Sequence, residues 1–321
     1  MERRFAARCV LTALLLVLPS GCAKRDLPPS VEKEETLAER IDGMVERFLF
    51  SGDDDAKRTS VLAEARSILD REGVPSVAKA GDAGAYGFVL VNMLGQPPNF
   101  RREFMVRLRE AAAHAELPAD AVIFAEARLR QGESEDLFRA GVPSEPLLRD
   151  DILRLLKADQ AVREKKGFNF RKMQQADRAT SMPLRAIFDR NGVPTYDLVG
   201  VEAAKGFVVM VQHQSPEFRQ VVLPKLKANV DAGQGDAGNY AMVYDRTQRD
   251  QGKKQLYGEQ LECSSGKSLS EAPIEDEAAV DMRRAQLGLM RIALYVRFVK
   301  LQAPDMCSVT GVLRALISSW L

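Results

Sequence analysis

Apolar residues recur at helical spacing through most of this chain, and strand-like alternation is confined to a short stretch near residue 255. The helical pattern begins near Leu37. The acidic run Asp53-Asp54-Asp55 predicts the capped start of a helix over 56–72, which Gly73 stops, with Pro75 just beyond. Two strongly apolar helices are predicted over 81–94 and 200–213, each entered at a glycine and each able to pack closely at Gly87 or Gly206. Amphipathic helices follow over 98–115 and 216–231. The second opens with Ser215-Pro216-Glu217, a capping serine, a first-turn proline and an early acid, and Pro224 is expected to kink it. The polar stretch QGKKQLYGEQLE, with Gly-Lys-Lys at its turn, predicts a small hairpin. A last helix is predicted from Asp276 to Lys300, with an apolar face through Val280, Leu287, Met290 and Leu294.

The pattern also repeats. Shifted by 119 residues, RSILDREGVP from Arg66 falls on RAIFDRNGVP from Arg185, and Gly87-Phe88-Val89 falls on Gly206-Phe207-Val208. Twelve of 29 gapless pairs are identical. A stretch slipped by one residue follows, with Phe100-Arg101 against Phe218-Arg219 and Arg128 against Arg246, and Leu137-Phe138 then meets Leu256-Tyr257 at the original offset. The expected fold is therefore mainly α: two tandem related helical units with at most a small β-hairpin in the second. The first unit runs over 37–141 and the second over 142–300, with an extension over 301–321.

Composition changes this picture chiefly at the N-terminus. Charged residues make up 28% and hydrophobic residues 45%, an ordinary globular balance. Arg3, Arg4 and Arg8 precede an apolar run from Cys9 to Leu18, which ends in Leu18-Pro19-Ser20-Gly21-Cys22. This three-part leader over 1–22 resembles that of bacterial lipoproteins, with Cys22 as the lipidated residue. Ala23 after the cysteine implies the outer membrane, facing the periplasm. Residues 23–36, with Pro28-Pro29 and mixed charges, read as a flexible tether. Without its four charged leader residues the chain's formal charge of +1 becomes about −1, which argues against a nucleic-acid partner. Cys263 and Cys307 then remain as an even pair in an oxidising compartment, either a disulfide or two buried thiols.

The two copies act as an internal control on function, because a group reactive in one and inert in the other is not required by the fold. Gln212-His213 faces Met93-Leu94, Tyr244-Asp245-Arg246 faces Glu126-Ala127-Arg128, Gln255 faces Asp136, and Tyr257 faces Phe138. The candidate site is thus Gln212, His213, Asp245, Arg246, Gln255 and Tyr257, all in the second copy. His213 is either a helix C-cap or a ligand-binding or general-base residue. A metal site is not indicated: the other histidine, His114, lies in the first copy and away from any ligand spacing. No phosphate-binding glycine loop or nucleophile elbow appears, so no cofactor is expected.

Several of these residues carry a resemblance. Gly192-x-Pro194, Gly200, Gln212-His213, Asp245-Arg246, QLYGEQ over 255–260, Arg283-Arg284 and Gly288-Leu289 resemble the uncharacterised bacterial domain-of-unknown-function family numbered sixty-six twenty-four. Asp159-Gln160 and Arg163 resemble the Asp-Gln-x-x-Arg that opens its domain, so the resemblance covers about residues 147–298. Glu259 stands where that family usually has Thr, and the first copy lacks the polar set. The resemblance implies a common site and no known activity. Three functions are left open: an envelope lipoprotein whose second unit binds a polar ligand, a metal-independent hydrolase with His213 as general base oriented by Asp245, and a structural envelope scaffold.

Overall fold

A computed structural model describes residues 35–52, 54–163, 170–264, 268–302 and 307 of the chain. The leader with Cys22, the tether up to residue 34, Asp53 and the extension from residue 308 lie outside the described residues.

The mainly α class holds, with thirteen α-helices among the described residues, a short 3-10 turn and one two-stranded antiparallel sheet. Five helices come first: α1 (Leu37–Phe50), α2 (Asp55–Glu72), α3 (Val77–Gly95), α4 (Pro98–His114) and α5 (Ala119–Ala140). Six follow: α6 (Pro146–Arg163), α7 (Phe170–Asn191), the single turn α8 (Tyr196–Val199), α9 (Val201–Val211), α10 (Pro216–Asp231) and α11 (Ala237–Asp250). Strands β1 (Leu261–Ser264) and β2 (Ser268–Glu271) and helices α12 (Val280–Gln286) and α13 (Ile292–Gln302) complete the order. No described helix is long and apolar enough to cross a membrane.

Local chemistry accounts for several of the boundaries. Thr36 and Glu39 form a reciprocal capping box at the start of α1. Asp54 accepts the Lys57 N–H at the start of α2, and Ser215 caps α10. Gly81 and Gly200, at φ +69° and +79°, bend the chain in the same way at the entrance to the apolar helices. α10 continues through Pro224.

The same pairings recur in both halves. α3 packs on α1, α2 and α5, and α9 packs on α6, α7 and α11. Glycines allow close approach in both: a Cβ at Gly87 would lie 2.7 Å from Val45 Cγ2, and one at Gly206 would lie 2.6 Å from Leu156 Cδ2. One apolar core gathers α1–α5 around Phe88, and a second gathers α6–α11 around Phe207. The described residues from Thr36 onward nevertheless form one compact unit. α12 packs along α5, and Gln131 of α5 donates to the Leu287 carbonyl at 2.8 Å.

Two expectations need correction. The hairpin lies at 261–271, beyond QGKKQLYGEQ, because Gly252 only turns the chain out of α11 and residues 255–260 form a loop held by side chains. The last helix is two helices. Gly288 at φ +64° breaks it, and a Cβ there would lie 2.9 Å from Arg128 Cδ, so close contact with α5 selects glycine. Cys263 and Cys307 are bonded, with Cα atoms 5.5 Å apart.

The glycine contacts give a stability test. Gly87→Ala gains about 1 kcal/mol of helix propensity but forces a methyl onto β-branched Val45, whose χ1 is stiff. Overpacking of this kind costs about 1–3 kcal/mol. Gly206→Ala meets only the end of a flexible leucine. In urea denaturation Gly87→Ala is expected to show a net loss of up to about 2 kcal/mol, while Gly206→Ala stays near neutral.

Candidate functional site

The sequence-predicted residues separate into two groups on different faces of α11. Asp245 and Arg246 are consecutive on that helix, so their side chains leave it about 100° apart.

Asp245 is fully buried, at 0% exposure. Its carboxylate accepts the backbone N–H groups of Leu256 at 2.7 Å, Tyr257 at 3.1 Å and Glu259 at 2.9 Å. Burial pushes its carboxyl up, against the downward pull of those three donors and of Arg284. The loop's carbonyls are held from the other side. Arg283 Nε donates to Leu256 O at 2.9 Å, and Arg284 donates to Tyr257 O at 2.6 Å and Met290 O at 2.5 Å. Arg284 also pairs with Glu259 at 2.8 Å, and this buried Glu is pushed up by desolvation. Gln255 closes the loop on itself. Its side-chain oxygen accepts Gln260 N–H, and its Nε2 donates to Gln260 O and Ala272 O. Tyr257 packs edge-on against Tyr240 and Tyr244 in the second core. Asp245, Gln255 and Tyr257 therefore build a buried latch, and Asp245 is engaged away from His213 rather than orienting it.

His213 belongs to a different cluster. It follows the last turn of α9, half-buried, and its imidazole makes no hydrogen bond among the described residues. Arg219, 2% exposed, donates to the carbonyls of Gln212 and Gln214 and pairs with Asp250. The C-terminal carbonyls of α9 are thus capped by Arg219, and His213 is not needed for that task. Arg163 at the end of α6 forks onto Asp159 at 2.8 and 3.1 Å and also pairs with Asp177 of α7. Gln160 donates to Asp159 at 2.8 Å, and Gln214 donates to Thr180 at 3.2 Å. Gln212 is buried beside this group. The charges of Arg163, Asp159, Arg246 and Arg219 act on His213, and Asp177 joins them through Arg163. Of these, the Asp-Gln-x-x-Arg residues were legible as a motif, whereas Asp177, Arg219 and Asp250 carried no signal beyond being charged.

Electrostatics mark His213 out. Burial comes first, then the positive charges of Arg163, Arg246 and Arg219, opposed by Asp159; together they push its pKa down to about 3. The imidazole is neutral at pH 7. Burial and the neighbouring guanidinium of Arg219 also push Arg246 down, and desolvation pushes Asp177 up. His213 therefore presents a neutral donor and acceptor inside a net positive field.

The two groups respond differently to mutation and pH. Asp245→Ala leaves three loop N–H groups without acceptors, each worth about 1–3 kcal/mol when buried, and is expected to lower the melting temperature at every pH. His213 acts only in acid. Between about pH 6.5, where the unfolded imidazole titrates, and the folded value of about 3, the unfolded chain binds the extra proton. Stability then falls as pH drops, by up to about 1.4 kcal/mol per pH unit. Asp177, Asp245 and Glu259, all raised, act with the opposite sign, so the readout is the difference between the wild type and His213→Gln across that window. An unchanged slope in His213→Gln would show that the imidazole is not held neutral.

No curated protein and no solved structure matches the chain. The latch and the His213 cluster both lie within residues 146–303, which match the model of the family of unknown function DUF6624.

Proposed function

We propose that the second helical unit is a binding module for a polar ligand bearing an anionic group, and that it takes this group at His213, Arg163 and Arg246. The observation that carries this reading is the half-buried imidazole, unbonded among the described residues and held neutral by burial and then by the surrounding arginines. An anion entering that field lowers the potential that depresses His213, so binding and histidine basicity are coupled. Arginine suits this role because its planar fork matches carboxylate and phosphate oxygens. Hydrolysis with His213 as general base receives less support. A group titrating near 3 is a weak base at neutral pH, and Asp245 does not orient it. The latch around Asp245 would serve a scaffold as well as a binder, but a scaffold has no use for the His213 arrangement.

Orthophosphate is a suitable probe. Titrating it into isotope-labelled protein should shift the His213 ring nitrogens toward the protonated state. Arg246→Gln should weaken the response by about tenfold or more, the equivalent of one charge-assisted hydrogen bond. Identical responses in both proteins, or none to orthophosphate, sulfate or acetate, would remove the reading.

We further propose that the unit is carried on the envelope by lipid at Cys22, facing the periplasm of the outer membrane. The support is the leader's basic, apolar and small-residue segments ahead of Cys22, and the Cys263–Cys307 bond, which suits an oxidising compartment. Intact mass of membrane-extracted protein is expected to show a mature chain beginning at lipidated Cys22. An unmodified Cys22 would end the proposal.

A further inference from the structure

A cavity of about 350 Å³ opens where α5 meets the loop between α10 and α11, away from His213. Its charged and polar lining includes Arg130 and Glu135 of α5, Tyr196, Asp231 and Asp236, with the amides of Gln131 and Gln286 beside them. Val230, Leu287 and Ala127 supply an apolar part. The volume is at the lower end of small-molecule sites.

Two features set this cavity apart from a surface crevice. Tyr196 is 2% exposed, yet its hydroxyl has no hydrogen-bond partner. A buried hydroxyl left unpaired costs about 1–3 kcal/mol, so a group supplied from outside is called for. The fold does not demand the phenol, because Val77 occupies the position 119 residues earlier, at the start of α3. Burial and the carboxylates of Asp236 and Glu135 hold Tyr196 protonated, so it remains a donor. Arg130 is the second feature: it is exposed at the cavity and has no ion pair among the described residues.

The acids are differently placed. Glu135 receives Lys205 at 2.8 Å and Arg139 at 3.0 Å, Asp236 receives Lys205 at 3.0 Å, and Asp231 receives Lys227 at 2.6 Å. Each carboxylate is balanced but keeps lone pairs for a further donor. The lining therefore offers unpaired donors in Arg130 and Tyr196, and partly satisfied acceptors in the three acids. A simple anion would meet three carboxylates, and a simple cation would leave Arg130 and Tyr196 unanswered. A molecule carrying both signs answers both.

We propose that this cavity binds a small zwitterion of the amino-acid type, its carboxylate toward Arg130 and the Tyr196 hydroxyl and its ammonium toward Asp231 and Asp236. The apolar residues would receive the side chain. This site does not depend on the His213 reading, and orthophosphate reports on that one separately.

The test uses the folded chain from residue 23 with the standard amino acids, each compared with its deaminated acid and its decarboxylated amine. Binding is followed by calorimetry and by amide shifts of residues 230–237. At least one amino acid is expected to bind, and its two single-charge analogues to bind at least about tenfold more weakly. Tyr196→Phe should weaken binding by about fivefold, one hydrogen bond's worth. Ala232→Trp, at an exposed position on the rim, should abolish it without touching the core. The proposal is overturned if no amino acid binds, if the analogues bind equally well, or if Tyr196→Phe binds as the wild type does. Raised stability of Tyr196→Phe with no binding by either protein would identify a hydrated crevice only.

Discussion

The loop that follows α11 is organised around one buried carboxylate. Asp245 stands in the second core with no exposure, and it is tolerable there because three backbone N–H groups of one loop point at it. The dependence is mutual. The 255–260 loop meets other backbone only at its ends, so without Asp245 the Leu256, Tyr257 and Glu259 amides would lose their acceptor. Arg283 and Arg284 answer the loop carbonyls and tie it to α12, and α12 in turn lies along α5. Gly258 lets the backbone pass beneath Ile292, where a Cβ would come within 2.5 Å. One acid thereby connects the second core, the hairpin and the first five helices.

Because Asp245 is committed to backbone, the chemistry available to a ligand lies with its neighbour. Arg246 leaves α11 on a different face and joins residues from α6, α7, α9 and α10 around His213. Formal charge in that cluster is close to balanced, since Arg163, Arg219 and Arg246 are accompanied by Asp159, Asp177 and Asp250. Balance of charge is not balance of potential, however. At the imidazole the three arginines outweigh Asp159, and desolvation adds to them. The first half of the chain has no such arrangement. Leu156 of α6 meets Gly206, and Asp159 follows three residues later; Val45 of α1 meets Gly87, and Phe48 follows three residues later. The same packing position is apolar in one half and charged in the other.

The candidate site was legible by type more than by partnership. The doubled pattern singled out Gln212, His213, Asp245, Arg246, Gln255 and Tyr257 because their counterparts are inert. It could not separate Asp245 from Arg246, because adjacency in sequence hides a rotation of about 100° on a helix. It also passed over Arg219, whose role rests on two carbonyls left open by the end of α9. Tyr196 carried no signal at all; only an unfilled hydrogen bond beside a cavity draws attention to it.

What the sequence determined by itself was local. Apolar spacing placed the helices, and capping residues and glycines set several of their ends: Thr36, Asp54 and Ser215 at starts, Gly73 and Gly192 after stops. These signals act within one or two turns and so can be read from neighbours in the chain. Tertiary structure decided the features that arise where distant segments meet. It broke the last helix at Gly288 against Arg128, drew the 255–260 loop onto Asp245 instead of into a hairpin, and moved the strands to 261–271. It also decided that His213 sits among arginines. Burial and the charges brought by other helices set that field, and none of those charges is near His213 in sequence except Arg219.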